Sequence, residues 1–155
     1  MELSILNVDL QNPIHCDQVI RLLNVYMNDP MGNNSPMEKG LAPKIIAGLK
    51  KYAGYLGFFV LTGDQFAGLA NCNVNFSTFQ AKPLLNIHDF IVAPEYRKMG
   101  AGHFLLHEIV NSAAQNGYCR VNLEVREDNL AAKSLYKKNG FSDCVPRMMF
   151  WERKL

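Results

Sequence analysis

The sequence predicts an α/β (α+β) domain built on a single mixed, mostly antiparallel sheet with helices on both faces. Three observations carry that prediction. Strand-length apolar runs alternate with helical periodicities through the second half of the chain. An earlier pair of apolar runs flanks a Gly-Asp turn, the mark of a hairpin. The length, 155 residues, suits one domain with a sizeable core and is short for two, so residues 1–155 are read as one domain.

Taken in order, Leu3 to Leu10 reads as a first strand. Asp17 to Met27 sets Val19, Ile20, Leu22, Leu23 and Tyr26 close to helical spacing. The stretch 28-NDPMGNNSPMEKG-40 is too long for a simple turn, and Pro43 stands where a second helix begins and runs toward Tyr52. The hairpin is 57-GFFVLTGDQFAGLANCNVNF-76, and Leu84 to Val92 is the next strand. Gly100 to Asn116 is the strongest helix, with Phe104, Leu105, Ile109 and an Ala pair on its face and Gly117 at the C′ position. Then come a strand, 119-CRVNLEV-125, a helix, 129-NLAAKSLYKKN-139, stopped by Gly140, and one or two closing strands in 141-FSDCVPRMMFWERKL-155.

Composition narrows the function classes. With 48% hydrophobic and 19% charged residues the chain is globular, and a net charge of +2 offers no reason for a nucleic-acid or anionic-membrane partner. No apolar run approaches a membrane span, and MELSILNVDL lacks the basic start and apolar block of a signal peptide. Cys16, Cys72, Cys119 and Cys144 form no CxxC pair. They read as reduced, mostly buried thiols, with a cytoplasmic location as the default.

The informative stretch is 86-NIHDFIVAPEYRKMGAGHFLLHEIV-110, a buried strand joined to a helix through Pro94, Arg97, Gly100 and Gly102. A helix starting near Gly100 leaves its first N–H groups unsatisfied at the positive end of its dipole. Glycines there let phosphate oxygens approach the backbone, and Arg97 and Lys98 add positive charge at the same mouth. Neither a GxxxxGK[ST] loop nor a GxGxxG fingerprint is present, because Leu105 stands three residues after Gly102. The pattern that fits is Arg-x-x-Gly-x-Gly, 97-RKMGAG-102.

The run 92-VAPEYRKMGAGHFLL-106 resembles the acetyl-CoA-binding motif of the Gcn5-related N-acetyltransferase (GNAT) superfamily. The block 123-LEVREDNLAAKSLYKKNGF-141 is similar to its second signature, with Asn129, Ala132, Leu135, Tyr136, Gly140 and Phe141 in register. The resemblance implies the acyl-CoA N-acyltransferase fold with splayed central parallel strands, acetyl-CoA as co-substrate and no metal. It puts the slot for the pantetheine arm between 87-IHDFIV-92 and 120-RVNLEV-125. Backbone groups of Phe90 and Val92 would pair with that arm. The N–H groups of Lys98, Met99, Gly100, Ala101 and Gly102 would hold the pyrophosphate. Asn129 would contact the arm, or act simply as an N-cap. Tyr136 matches the family tyrosine beside the sulfur, where a phenol of pKa about 10 can protonate a departing thiolate. A backbone N–H near Phe90 or Ile91 would hold the oxyanion.

A base is also required, since an alkylammonium of pKa about 10.4 is neutral in roughly one molecule in two or three thousand at pH 7. Strand alternation sets Asn86, His88, Phe90 and Val92 on one face and Ile87, Asp89 and Ile91 on the other. Small-amine members of the superfamily often carry Glu-Asp where this chain has His88-Asp89. His88 is therefore a candidate base or a hydrogen-bonded core residue, with Asp89 in support. His103 and His107 lie i, i+4 on a helix without a third ligand or the HExxH order, and read as solvated side chains.

The segment 75-NFSTFQAKPLLNIHDF-90 resembles the spermidine/spermine and thialysine branch and favours a small amine. Asp29 and Glu38, in the loop where the family builds its acceptor wall, would attract a cation or simply be solvated. The expected function is transfer of acetyl from acetyl-CoA to a small-molecule primary amine through a ternary complex. The alternatives are a peptide or protein N-acetyltransferase and a non-catalytic acyl-CoA sensor. Fold relatives pair through late strands, so 147-RMMFWERKL-155 marks a possible homodimer face, unless Phe150 and Trp151 close the core.

Overall fold

The computed structural model describes residues 2–155. In chain order the elements are β1 (Leu3–Asn7), α1 (Pro13–Asn28), α2 (Leu41–Lys51), β2 (Tyr55–Thr62), β3 (Gln65–Ser77), β4 (Lys82–Val92), α3 (Ala101–Gln115), β5 (Val121–Leu123) and α4 (Leu130–Lys138), with one 3-10 turn at Pro94–Tyr96. The sheet runs in the order β1-β2-β3-β4-β5. Its first four strands are antiparallel neighbours, and β5 joins β4 in parallel.

Each face of the sheet carries its own helices. Phe58, Cys72, Leu85 and Ile87 pack under α3, through Leu105, Leu106 and Ile109, and under Tyr136 of α4. Phe59, Leu69 and Ile91 point the other way, onto Val19, Leu22 and Leu23 of α1 and, at the margin, Ile45, Ile46 and Leu49 of α2. The period-2 alternation of strands thus divides neighbours such as Phe58 and Phe59 between two cores. Truncating a fully buried leucine or isoleucine of either core costs about 2–5 kcal/mol.

Several boundaries differ from the sequence expectation. Helix α1 starts at Pro13, four residues before Asp17. The Asn12 side chain accepts from the Ile14 N–H at 2.9 Å and Pro13 occupies the first turn, where its missing N–H is no loss. Helix α2 starts at Leu41, so Pro43 lies inside its first turn. Strand β5 is only three residues long, against seven expected.

The largest difference is at the C-terminal end. Residues 142–155 form no strand and no backbone–backbone hydrogen bond. Pro146 lacks a donor, and β5 offers too short an edge to recruit a strand. Phe150 and Trp151 are exposed and do not close the core. The parallel pair is consequently at the margin of the sheet, not at its centre. Of the four cysteines only Cys72 is buried, and Cys144 is exposed. No helix is long and apolar enough to cross a membrane among the described residues.

Candidate active site

Two irregularities in β4 create the site. The first is a bulge: Asn71 of β3 faces Asp89, but the next residue, Cys72, faces Ile87, so His88 has no partner across the strand pair. The expected alternation therefore breaks at His88. Ile87 shares a face with Phe90 and Val92, under α3 and α4, while Ile91 lies on the opposite face with α1. His88 itself is exposed and is not a core residue.

The second irregularity is divergence. Pairing between β4 and β5 covers Leu85, Asn86 and Ile87 and stops there, although β4 continues to Val92. The Asn86 amide closes the joined end by donating to Asn122 Oδ1 at 3.0 Å. Beyond it opens a cleft of about 420 Å³, with Ile87, His88 and Phe90 on one side, Leu123 to Arg126 on the other, and Asn129, Leu135 and Tyr136 at the α4 wall. A more open groove of about 490 Å³ between α1 and α2 holds none of the motif residues.

Backbone direction in β4 sorts the candidates. Ala93 N–H donates to Ala67 O at 2.9 Å, so Ala93, Ile91 and Asp89 turn their polar groups toward β3, and Val92 and Phe90 turn theirs toward the divergence. Ile91 is thus not brought to the cleft, and its side chain is buried under α1. Of the two positions considered for the oxyanion donor, only Phe90 faces the opening. The Val92 carbonyl is already engaged, accepting from Arg97 Nε at 2.9 Å.

At the start of α3, the N–H groups from Lys98 to His103 have no acceptor among the described residues, and the first bond of the turn is Phe104 N–H to Gly100 O at 2.9 Å. Lys98 and Gly100 both take positive φ, 62° and 88°, which curls the loop and brings successive N–H groups together. The two glycines do different work. A Cβ on Gly100 would meet nothing within 4 Å, whereas one on Gly102 would stand 3.3 Å from Leu135, 3.4 Å from Val92 and 3.8 Å from Phe90. Gly102 is therefore a packing requirement of the α3–α4 contact as well as an opening for a ligand. Met99 and Ala101 complete the loop, the first exposed and the second buried. Arg97 is not a free cation at this mouth, because its Nη2 donates to Asp29 Oδ2 at 2.8 Å.

Tyr136 is buried between Phe90, which it meets edge-to-face, and Phe141, which is tilted against it, with ring centroids 6.0 and 6.1 Å away. No protein group hydrogen-bonds its hydroxyl among the described residues. Burial, and then the nearby Tyr26, push its pKa up to about 12. Asn129 caps α4, its Oδ1 accepting from Ala132 N–H at 3.1 Å, while its residue also lines the cleft. Asp89 Oδ2 accepts from Asn71 Nδ2 at 3.0 Å, and Asn71 Oδ1 accepts from the Tyr55 hydroxyl at 2.9 Å. This half-buried polar chain fixes the carboxylate on the α1 side of the sheet. His103 and His107 are exposed on α3, His107 Nδ1 lying against Glu108 and Asn111. Glu38 is exposed; Asp29 is not a free surface charge but the partner of Arg97.

Sequence reasoning did not single out Tyr26, Met31, Arg126 or Phe150 as cleft residues. Tyr26 stands within the apolar stripe of α1, where periodicity alone reads as core. Arg126 stood in the second motif block, just after the strand that was expected to line the slot, and that position was the available signal.

Comparison with known proteins supplies the family. The family model described as "Acetyltransferase (GNAT) family" matches residues 22–141. An uncharacterized N-acetyltransferase of Bacillus subtilis (strain 168) is 33% identical over 79 residues, 51% of this chain and 53% of its own. The [ribosomal protein bS18]-alanine N-acetyltransferase of Escherichia coli (strain K12) is 30% identical over 97 residues, 63% of this chain and 62% of its own. The chain thus spans less than two thirds of the length of these curated relatives. Among solved structures, a probable acetyltransferase shares the fold at TM-score 0.83 and 16% identity, covering 100% of this chain and 99% of its own. An aminoglycoside acetyltransferase from an uncultured soil metagenomic sample, in complex with sisomicin, does so at 0.80 and 15%, covering 99% and 96%. By the match over residues 22–141, which takes in both the glycine loop and the tyrosine helix, the chain belongs to the acetyltransferase (GNAT) family.

Proposed function

We propose that this chain is an N-acetyltransferase, a single domain over residues 1–155, that moves acetyl from acetyl-CoA to the primary amine of a small molecule by direct attack in a ternary complex. The observation that carries the reading is the cleft opened where β4 leaves β5. It brings the Tyr136 wall beside a loop of unpartnered N–H groups, with Gly102 packed against the cleft residues Leu135 and Phe90. The residues present suit acetyl-CoA: six successive backbone donors for a diphosphate, an open strand edge at Phe90 and the Val92 N–H for an amide-bearing arm, and an apolar wall for the thioester. Acetyl-CoA supplies an acetyl group activated as a thioester.

The chain's own residues then have distinct tasks. Phe90 N–H polarises the acetyl oxygen, where a preorganised donor contributes about 2.7–4 kcal/mol. Tyr136, held protonated by burial, donates its hydroxyl hydrogen toward the leaving sulfur. A phenol at about 12 is a weak acid toward a thiol of about 8.5 in water. Yet burial also pushes the Cys72 thiol of the adjacent core up to about 12. A sulfur expelled against the apolar side of the cleft is likewise less hydrated than in water, which moves its affinity for a proton in the same direction. His88, at the exposed rim of the bulge, takes the proton of the incoming ammonium. Asp89, oriented by Asn71, is the second candidate for that task because it lies on the α1 side of the sheet, near the cleft residue Tyr26.

A second reading, acetylation of a peptide or protein α-amine, is favoured by the similarity to the ribosomal-protein alanine N-acetyltransferase. The small-amine reading draws on the 75–90 segment and on the fold shared with the aminoglycoside enzyme. A non-catalytic acyl-CoA sensor would have no use for an unpartnered phenol in the cleft wall. Four free thiols fit a reducing, cytoplasmic setting. Acetyl-CoA-dependent thiol release across polyamines, amino-acid analogues, aminoglycosides and peptides tests the proposal. Turnover of a small amine supports it, turnover of peptides alone shifts the function to the second reading, and silence with acetyl-CoA bound leaves the sensor.

A further inference from the structure

The loop between α1 and α2 is stapled, not slack, and Asp29 is its hub. Its N–H donates to Tyr26 O, and its carbonyl accepts from Gly32 N–H at 2.8 Å and Asn34 N–H at 3.3 Å. Its Oδ1 accepts from Met31 N–H at 2.9 Å. The turn is so tight that a Cβ on Gly32 would fall on the Tyr26 carbonyl. Asn33 and Ser35 complete it by donating to Met27 O at 3.2 and 3.0 Å. Tyr26 and Met31, at either end of this turn, line the cleft.

Two arginines far away in sequence hold the turn from the opposite side. Arg97, directly before the unpartnered N–H run, gives Nη2 to Asp29 Oδ2 at 2.8 Å, while Val92 O holds its Nε. Arg126, three residues past the end of β5, gives Nη1 to Pro30 O at 3.3 Å, while Asp128 holds its other nitrogens. Because β4 and β5 are parallel, both arginines stand beyond the carboxyl ends of the diverging strands. Asp29 and Pro30 therefore join the two lips of the cleft. Asp29 is well placed for this: Met31 N–H, and also Arg97, hold its carboxyl below the usual range, against the opposing effect of partial burial.

We propose that Asp29 is a positioning residue that couples the diphosphate loop to the acceptor-side wall, through its ion pair with Arg97. The coupling rests on the acetyltransferase reading of the cleft. A guanidinium has five donors in a rigid fork, and in Arg97 Nη1 has no partner among the described residues. A diphosphate on the adjacent N–H run shares that guanidinium, restricts it, and through Asp29 steadies residues 29–35. Linkage makes the effect reciprocal, so a steadied wall also retains the diphosphate better.

Asp29→Asn is the selective perturbation. Asparagine keeps an oxygen for Met31 N–H, but turns an amide donor toward the Arg97 donor, so the turn survives while the link breaks. Acetyl-CoA affinity by calorimetry and amide exchange by NMR, with and without acetyl-CoA, give the readout. The Asn33 and Ser35 amides are the probes, since their acceptor is Met27 O and not the Asp29 side chain. In the wild type, acetyl-CoA slows their exchange about fivefold or more. In Asp29→Asn, acetyl-CoA still binds, weakened by about the same fivefold that linkage requires, and the added protection is lost. Asp29→Glu recovers part of it. Equal protection in Asp29→Asn, or none in the wild type while acetyl-CoA binds, overturns the coupling. Failure of the wild type to bind acetyl-CoA is seen separately in the calorimeter, and overturns the cofactor reading together with the coupling.

Discussion

Replacing Tyr136 by phenylalanine removes one oxygen from a ring that packing otherwise holds, between Phe90 and Phe141. No protein group bonds that hydroxyl among the described residues, so stability at neutral pH should change by less than about 1 kcal/mol. Catalysis should respond far more. Loss of a positioned acid costs about 10²–10⁴-fold, or roughly 3–5 kcal/mol on the barrier. The substitution has a third signature that needs no acceptor. Burial raises the phenol from its ordinary 10.0 to about 12, so the unfolded chain ionises first as pH climbs. The stability gained by burying a neutral phenol is complete below pH 10 and is lost as pH passes through about 12. Two pKa units amount to about 3 kcal/mol. Urea unfolding at pH 7, 10 and 11.5 measures this as the difference between wild type and variant, which subtracts the common contributions of Tyr55 and Tyr26, whose hydroxyls burial also raises. Turnover within threefold of wild type, with acetyl-CoA still bound, would refute the acid assignment. An unchanged alkaline slope would refute the burial argument independently.

Other substitutions separate neighbouring roles. Gly100→Ala meets open space but a φ of 88°, so it should cost about 1–2 kcal/mol of stability and weaken acetyl-CoA binding at least tenfold. Gly102→Val should weaken binding too, but also lower the unfolding free energy by about 1–3 kcal/mol through contact with Leu135 and Val92. Coenzyme affinity surviving both would end the cradle assignment. His88→Gln should lower kcat about 10²-fold, whereas the same loss from Asp89→Asn alone would move the base to Asp89. Light scattering at micromolar concentration should return the mass of a homodimer if 147–155 is a pairing face; a monomer would discard that expectation.

Much of the fold was legible because the local code and the tertiary environment agree there. The Gly-Asp hairpin, the α3 stripe and the caps at Gly117 and Gly140 depend on turn chemistry and periodicity. The start of α1 was also legible in principle, since Asn12-Pro13 is a capping signal, but the apolar stripe drew the boundary to Asp17 instead. The closing strands were not legible. The apolar content of 147–155 resembles a strand, but a strand exists only where an edge accepts its hydrogen bonds, and that depends on how far β5 extends.

The candidate site divides along the same line. Sequence alone supplied the candidates for the chemistry of the proposal: the glycine loop after β4 and the cap at Asn129 follow from helix-start chemistry, and the role given to the phenol at Tyr136 comes from the resemblance to the family. Tertiary structure decided their relations. The bulge at His88 moved Ile87 off the face it was assigned with Asp89 and Ile91, backbone direction removed Ile91 from the cleft, and packing gave Gly102 a second duty. Arg97 met Asp29 across 68 positions of sequence. Bulges, strand divergence and long-range ion pairs arise from contacts between distant segments, and local periodicity carries no record of them.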